Sequence, residues 1–177
     1  MMKMKILQLP NPILRQKSLE VQEVDDNIRK TLDDMLETMY ESNGVGLAAP
    51  QVGLLQRMLV IDISAKEETK QPLKMVNPRM VWHSDDIQTC SEGCLSIPNQ
   101  FAPVDRFLTV RIEYLDENGE PQDLTATDFL AVAVQHEMDH LDGVVFIDHI
   151  SPLRRKLILK RHEKQLRRKE KEEEGKN

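Results

Sequence analysis

Cysteine is nearly absent from this 177-residue chain, which has two, Cys90 and Cys94. A bridge between residues four apart would close a very small loop, so a disulfide framework is excluded as the source of stability. Each thiol is then either a small buried hydrophobe or a ligand or nucleophile. Long apolar runs are also missing. The hydrophobic segments are far too short to span a bilayer, so no membrane partner is expected. The opening residues, MMKMKILQLPNPILRQ, carry positive charge but no continuous apolar stretch and no small-residue cleavage site. They do not read as a secretory signal, and the expected location is cytoplasmic. No internal repeat is visible, and 177 residues suit one domain with its own core.

Charge is plentiful and unevenly spread. Residues 154–177 carry 11 Lys and Arg against five acids, whereas residues 1–153 carry 13 against 25. An acidic body with a basic tail points to an anionic partner for the tail alone.

The hydrophobic pattern predicts short strands and separate helices. Ile28, Leu32, Met35, Leu36 and Met39 fall at helical spacing, with Asp25 or Asp26 to cap the start and Asn43-Gly44 to end it. Residues 44–53, GVGLAAPQVG, read as a glycine-rich loop that can approach a ligand closely. Strands are expected at 57–63, at 73–76 and 79–82 on either side of Asn77-Pro78, at 107–115, and near 121–126 after the Asn118-Gly119 turn. Thr127 or Asp128 caps a second helix, apolar all round for two turns and closed by Gly143. Residues 144–148, VVFID, read as a short strand. Ser151-Pro152 opens a last helix that Leu153, Leu157 and Ile158 can dock, with its end beyond about Lys160 in solvent. This order makes the fold class α+β rather than a βαβ array.

The second helix ends in HEMDH. Residues i and i+4 lie roughly 40° apart around a helix and ~6 Å apart along it, so His136 and His140 can reach one ion from one face. Glu137, about 100° away, flanks that ion without ligating it, which suits a carboxylate that moves a proton. Two imidazoles and a carboxylate on an otherwise apolar helix cost several kcal/mol to bury unless something pairs them. The third ligand separates the classes. A metzincin needs a His where Phe146 stands. Glu163, the candidate for a downstream acid, falls in the basic RHEKQLRRK segment. Cys94, in a short segment bounded by glycine and proline, is the better ligand for zinc or ferrous iron, and it leaves one coordination position open.

GVGLAAPQVG, EGCLS (92–96) and QHEMDHLDG (135–143), in this order and spacing, resemble the three signature segments of the bacterial peptide deformylases. The likeness extends over most of residues 1–150. It implies antiparallel β-sheets packed around a central helix that carries HExxH, with N-terminal and C-terminal helices besides. It implies a catalytic domain over 1–152, and a basic C-terminal helix or tail over 153–177 that is not a separate domain. The implied reaction removes the formyl group from the N-terminal formyl-methionine of nascent polypeptides and releases formate.

On the same resemblance, Cys94, His136 and His140 hold one divalent metal ion per chain. Ferrous iron is the implied native metal, and zinc, nickel or cobalt are able to bind. Glu137 is the catalytic carboxylate, and the Gln51 amide with the Leu95 backbone N–H forms the oxyanion hole. Gly46 and Val45 meet the substrate backbone. Phe129, Val132, Ala133 and Cys90 are candidate walls of the methionine pocket. Glu92 supports the site, with Arg106 as its ion-pair partner. The basic helix is a candidate for docking on the ribosome. One departure stands out: many relatives carry a basic residue seven positions after the metal-binding cysteine, and this chain has Phe101 there.

Two other readings compete. An HExxH endopeptidase would ignore a formyl group and use a third ligand other than Cys94. A non-catalytic RNA- or ribosome-binding module would close its metal site with a fourth ligand, for which Cys90 is the nearby spare.

Overall fold

The computed structural model describes residues 2–175. Helix α1 spans Asp26–Glu41, and Asp25 caps it by accepting from the Ile28 N–H. Its Ile28, Leu32, Met35 and Met39 are buried together, as the helical spacing predicts. Asn43, at φ 56°, takes the left-handed step that ends it.

Seven strands follow: β1 (Gly46–Ala48), β2 (Met58–Ile61), β3 (Leu73–His83), β4 (Ile87–Cys94), β5 (Ile97–Phe107), β6 (Thr109–Leu115) and β7 (Pro121–Thr127). Five form an antiparallel sheet in the order β1-β2-β3-β6-β7, while β4 and β5 pair as a separate hairpin. Then come α2 (Asp128–Leu141), a 3-10 turn at Phe146–His149, and α3 (Pro152–Glu174). Helix α2 is the centre of the molecule. On one side its Ala131, Ala133, Val134 and Leu141 share a core with Leu59, Ile61, Met75, Val110 and Ile112 of the sheet. The hairpin flanks it as well, with Ile97, Ala102 and Val104 joining a further core around Phe146 and Ile147. Among the described residues, no helix is long and apolar enough to cross a membrane.

Several local expectations need correcting. Asn77-Pro78 does not split a strand; β3 runs through it with a shift of register between Val76 and Arg79. Asn77 stands at φ 50°, and its side chain both accepts from the Val21 N–H and donates to the Val21 carbonyl. A bulge tolerates a proline that a regular ladder would reject. Residues 144–148 are not a strand. Val145, Phe146 and Ile147 are all buried in succession, and the Asp148 carboxylate accepts from the Val145 N–H to wind the 3-10 turn. A short apolar run carries no period by which strand and turn could be told apart. Helix α3 starts at Ser151-Pro152 as expected, but Leu153 and Leu157 face solvent. Ile158 docks it as expected, together with Leu159 and His162. His162 is 3% exposed and its Nε2 lies 2.7 Å from the Leu9 carbonyl oxygen, so the docked part reaches past Lys160.

The β4–β5 hairpin was hidden in the sequence. Its buried positions include Gln100 and Arg106, while Phe101 stands in an outward position. Polar residues inside and an aromatic outside erase the alternation that marks a half-buried strand.

Candidate metal centre

The polar end of α2 lies against β5, β1 and a 3-10 turn at Ala49–Val52. His136, Glu137 and His140 are all buried there. The β4–β5 ladder runs regularly to Gly93↔Phe101 and then shifts register, so that Cys94 pairs with Ile97. That irregularity sets Cys94 beside the helix. The Cys94 sulfur lies 3.3 Å from His140 Nε2. One donor atom each from Cys94, His136 and His140 fall within 4.8 Å of one another. Bonds of about 2.3 Å to sulfur and about 2.0–2.1 Å to nitrogen, at tetrahedral angles, put neighbouring donors roughly 3.5 Å apart. The donor set therefore fits a divalent ion of the zinc or ferrous kind.

His136 is oriented from behind. Its Nδ1 lies 2.7 Å from Glu92 Oε1, which leaves Nε2 for the site. Arg106 grips Glu92 with two hydrogen bonds, Nε to Oε2 at 2.8 Å and Nη2 to Oε1 at 2.9 Å. A third arm of Arg106 donates to Asp139 Oδ2, which His149 also reaches at 2.7 Å. Burial opposes charge on Glu92, but the Arg106 and His136 hydrogen bonds outweigh it and hold the carboxyl at about 2. Burial also works against charging His136, and here the Cys94 and Glu92 contacts prevail, raising its proton affinity well above the ordinary value. The lone pair so strengthened is the one a cation would compete for. His140 goes the other way, since burial and then His136 and Arg106 keep it neutral.

Glu137 keeps a free carboxylate end at the centre, where His140 Nδ1 is also buried without a partner. Its Oε1 stands 3.9 Å from His136 Nε2, and its buried Oε2 has no hydrogen-bond partner. Burial raises its carboxyl to about 7, with Glu92 and Asp139 adding to the rise and His136 and Arg106 opposing it. Gly46 makes room for it: a Cβ on residue 46 would stand 2.5 Å from Glu137 Oε1. On the other side, Gln51 Oε1 accepts from the Ala48 N–H at 2.9 Å, which fixes the amide the right way round. Its Nε2 then donates to Ser96 Oγ at 3.1 Å and lies 3.4 Å from the Cys94 sulfur.

A cavity of about 440 Å³ opens onto these groups. Gln51, Glu137 and Leu95 line it, and so do Val45, Gly46, Phe129, Val132 and Ala133. Cys90 lies on the same strand as Glu92, two residues further from Cys94, and is not among the residues that line this cavity. The rival third ligands are also disposed of. Phe146 is buried against the His136 ring, and Glu163 is exposed on α3 and paired with Arg167. Cys90 does not join the donor group, so the set of three stays open. A larger open concavity of about 920 Å³, bordered by Lys17, Arg57, Tyr114 and Asp123, holds none of the donors. Sequence reasoning missed Ser96, Asp139 and His149. Asp139 sits within HEMDH and could have been flagged, whereas nothing marks His149.

A buried, partly free carboxylate beside two imidazoles and a thiol, reached through a cavity, defines the class: a metal-dependent hydrolase. Comparison with known proteins narrows it. The family model described as polypeptide deformylase matches residues 3–156. The chain is 46% identical over 165 residues to the peptide deformylase of Bartonella quintana, covering 93% of this chain and 94% of that protein. A crystal structure of a peptide deformylase from Legionella pneumophila superposes with a TM-score of 0.89 at 37% identity, covering 95% of this chain and 98% of that one. The Ehrlichia chaffeensis peptide deformylase, solved in complex with actinonin, gives 0.89 at 37% identity, over 93% and 98% of the two chains. The chain belongs to the polypeptide deformylase family, metalloenzymes that remove the N-formyl group from nascent polypeptides.

Proposed function

We propose that Cys94, His136 and His140 are the metal ligands for this deformylation and that Glu137 carries its proton. Bound there, a divalent cation supplies Lewis acidity, which lowers the pKa of water and polarises a carbonyl oxygen. Glu137 accepts a proton from the attacking water and delivers it to the departing amine of methionine. The C–N bond of the formamide breaks, formate leaves, and the free amino terminus remains. Gln51 Nε2 and the Leu95 backbone N–H donate to the oxygen on which negative charge grows, at about 3–4 kcal/mol for one such donor. Gly46 and Val45 run beside the substrate backbone, and Phe129, Val132 and Ala133 receive the methionine side chain. Glu92 and Arg106 keep His136 in place. The carrying observation is the buried Glu137 Oε2 without a partner, next to three convergent donors.

Ferrous iron is the metal we assign in the cell, with zinc, nickel or cobalt able to substitute, since a thiol with two imidazoles accepts them all. We assign residues 1–152 to the catalytic domain and 153–177 to a basic C-terminal helix or tail that is not a separate domain; Met1, Lys176 and Asn177 lie outside the described residues. The reaction belongs in the cytoplasm, where nascent chains emerge. The tail is the element we assign to the ribosome. Ten Lys and Arg stand against two acids over residues 154–171, which suits contact with phosphates.

The test is formate release from a formyl-methionyl peptide by anaerobically purified protein, with the acetyl-methionyl peptide alongside. Rapid release from the formyl peptide alone is the expected result. Equal cleavage of internal peptide bonds would overturn the assignment in favour of an endopeptidase.

A further inference from the structure

Two of the four phenylalanines in this chain are exposed. Phe101 is 68% exposed and Phe129 46% exposed, and both line the same cavity. Phe101 comes from an outward position of β5, and Phe129 from the first turn of α2. An exposed aromatic is costly unless something covers it, and two at one cavity mark a place built to meet apolar surface.

Phe101 is held in place. It pairs with Gly93 across the hairpin, and a Cβ on residue 93 would stand 2.5 Å from its Cε1 and 2.7 Å from its Cδ1. The ring therefore lies over the bare backbone of Gly93 as a fixed shelf. The charge at this opening is equally telling. Among the described residues no Lys or Arg lines the cavity, and its acids are Glu92 and Glu137. Neutral Ser42, Asn43, Asn99 and Gln100 also line the cavity. Away from the metal ligands, a carboxylate entering here meets no Lys or Arg among the described lining residues.

Building on the deformylase reading, we infer that Phe101 and Phe129 form an uncharged aromatic mouth that selects the residue following the formyl-methionine. The chain prefers substrates with a large apolar side chain there and discriminates against acidic ones. Phe101 supplies the shelf, and Phe129 borders both this mouth and the methionine pocket.

The experiment measures kcat and KM for formyl-Met-X-Ser amides with X as Ala, Leu, Phe and Asp. Amides are used so that no terminal carboxylate confuses the charge effect. Wild-type protein should show a KM about tenfold lower for Leu and Phe than for Ala, as partial burial of such a side chain gives, and a higher KM for Asp. Phe101→Ala should erase the Leu and Phe advantage through KM, Phe101→Leu should restore most of it, and Phe101→Arg should bring the Asp peptide to parity with Ala. Trp82→Ser, which removes an exposed aromatic outside the cavity, should leave the preference as it is. Turnover with the same KM for every X, or a Leu preference that survives Phe101→Ala, would overturn this inference and leave the deformylase reading standing. Failure of the metal-loaded wild type to release formate from any of the four would overturn both.

Discussion

Helices α2 and α3 both carry His, Glu and basic or acidic neighbours, yet they use them in opposite ways. In α2 the ionisable groups are buried and cross-braced: His136 to Glu92, Glu92 to Arg106, Arg106 to Asp139, Asp139 to His149. In α3, the buried His162 apart, they stand largely in water, and pairs such as Arg167–Glu163 and Arg168–Glu172 are isolated and exposed. A buried charge left unpaired costs several kcal/mol, whereas an exposed pair is worth about 0–1 kcal/mol. Where a charged residue sits, rather than what it is, decides how much the molecule depends on it.

The largest expected effect is at the free carboxylate of α2. Glu137→Gln keeps the shape and removes the proton acceptor. We expect a fall of about 10²- to 10⁴-fold in kcat with metal content unchanged, read by formate release and metal analysis of the same sample. A variant that loses metal along with activity would make Glu137 a support of the ligands instead. The pH profile sharpens the point. Burial holds this carboxyl at about 7 in the metal-free protein. A cation beside it favours the ionised form, so the acid limb of kcat/KM should fall below pH 7 once metal is bound.

Gly46→Ala tests the same group from the opposite side. The new methyl would overlap the Glu137 carboxylate, at 2.5 Å from Oε1. A displacement of about 1 Å at a catalytic group costs roughly 10²-fold. We expect that loss in kcat with little change in thermal stability, since Gly46 has an ordinary strand conformation. Unchanged kcat would show that Glu137 has room to shift.

Arg106→Met reaches one layer further out. It leaves Glu92 buried with His136 as its sole strong partner. Metal affinity should drop about 10- to 100-fold by chelator competition. Acid sensitivity should change as well. Glu92 sits at about 2 when folded against an ordinary 4.5, so it contributes stability above pH 4.5 that is lost as pH falls from there toward 2. That contribution is on the order of 3 kcal/mol. In Arg106→Met the unfolding free energy should vary less over this window, as followed by urea titration at several pH values.

The contrast between the helices also explains what the sequence revealed. HEMDH, the apolar run before it and Gly143 announced α2 and its three site residues, because a helix writes its faces into fixed spacings. Cys94 followed from ligand chemistry and Gln51 and Leu95 from the family resemblance. The partners from elsewhere were harder. The resemblance supplied the Arg106–Glu92 pair, but the further bond from Arg106 in β5 to Asp139 of α2 joins elements far apart in the chain, and such pairing leaves no local pattern. His162 escaped for the same reason. It looked like one more polar residue on a solvated helix, yet its partner is the Leu9 carbonyl, 153 residues away.

That buried histidine sets the smallest effects and locates where docking ends. Arg167→Ala, on the exposed part of α3, should change stability by less than about 0.5 kcal/mol. Truncation after Gln165 keeps Ile158, Leu159 and His162, and should leave the melting temperature nearly as it was. Truncation after Leu159 removes the His162 contact, and a loss of about 1–2 kcal/mol should lower the melting temperature by roughly 2–8 °C. Both truncations should retain activity on short peptides, because no described residue beyond Leu159 lines the catalytic cavity. If salt-dependent ribosome binding weakens equally in both, the exposed end carries the phosphate contacts. If it weakens only in the shorter chain, the docked turn around His162 carries them, and the division drawn here within α3 moves toward the helix end.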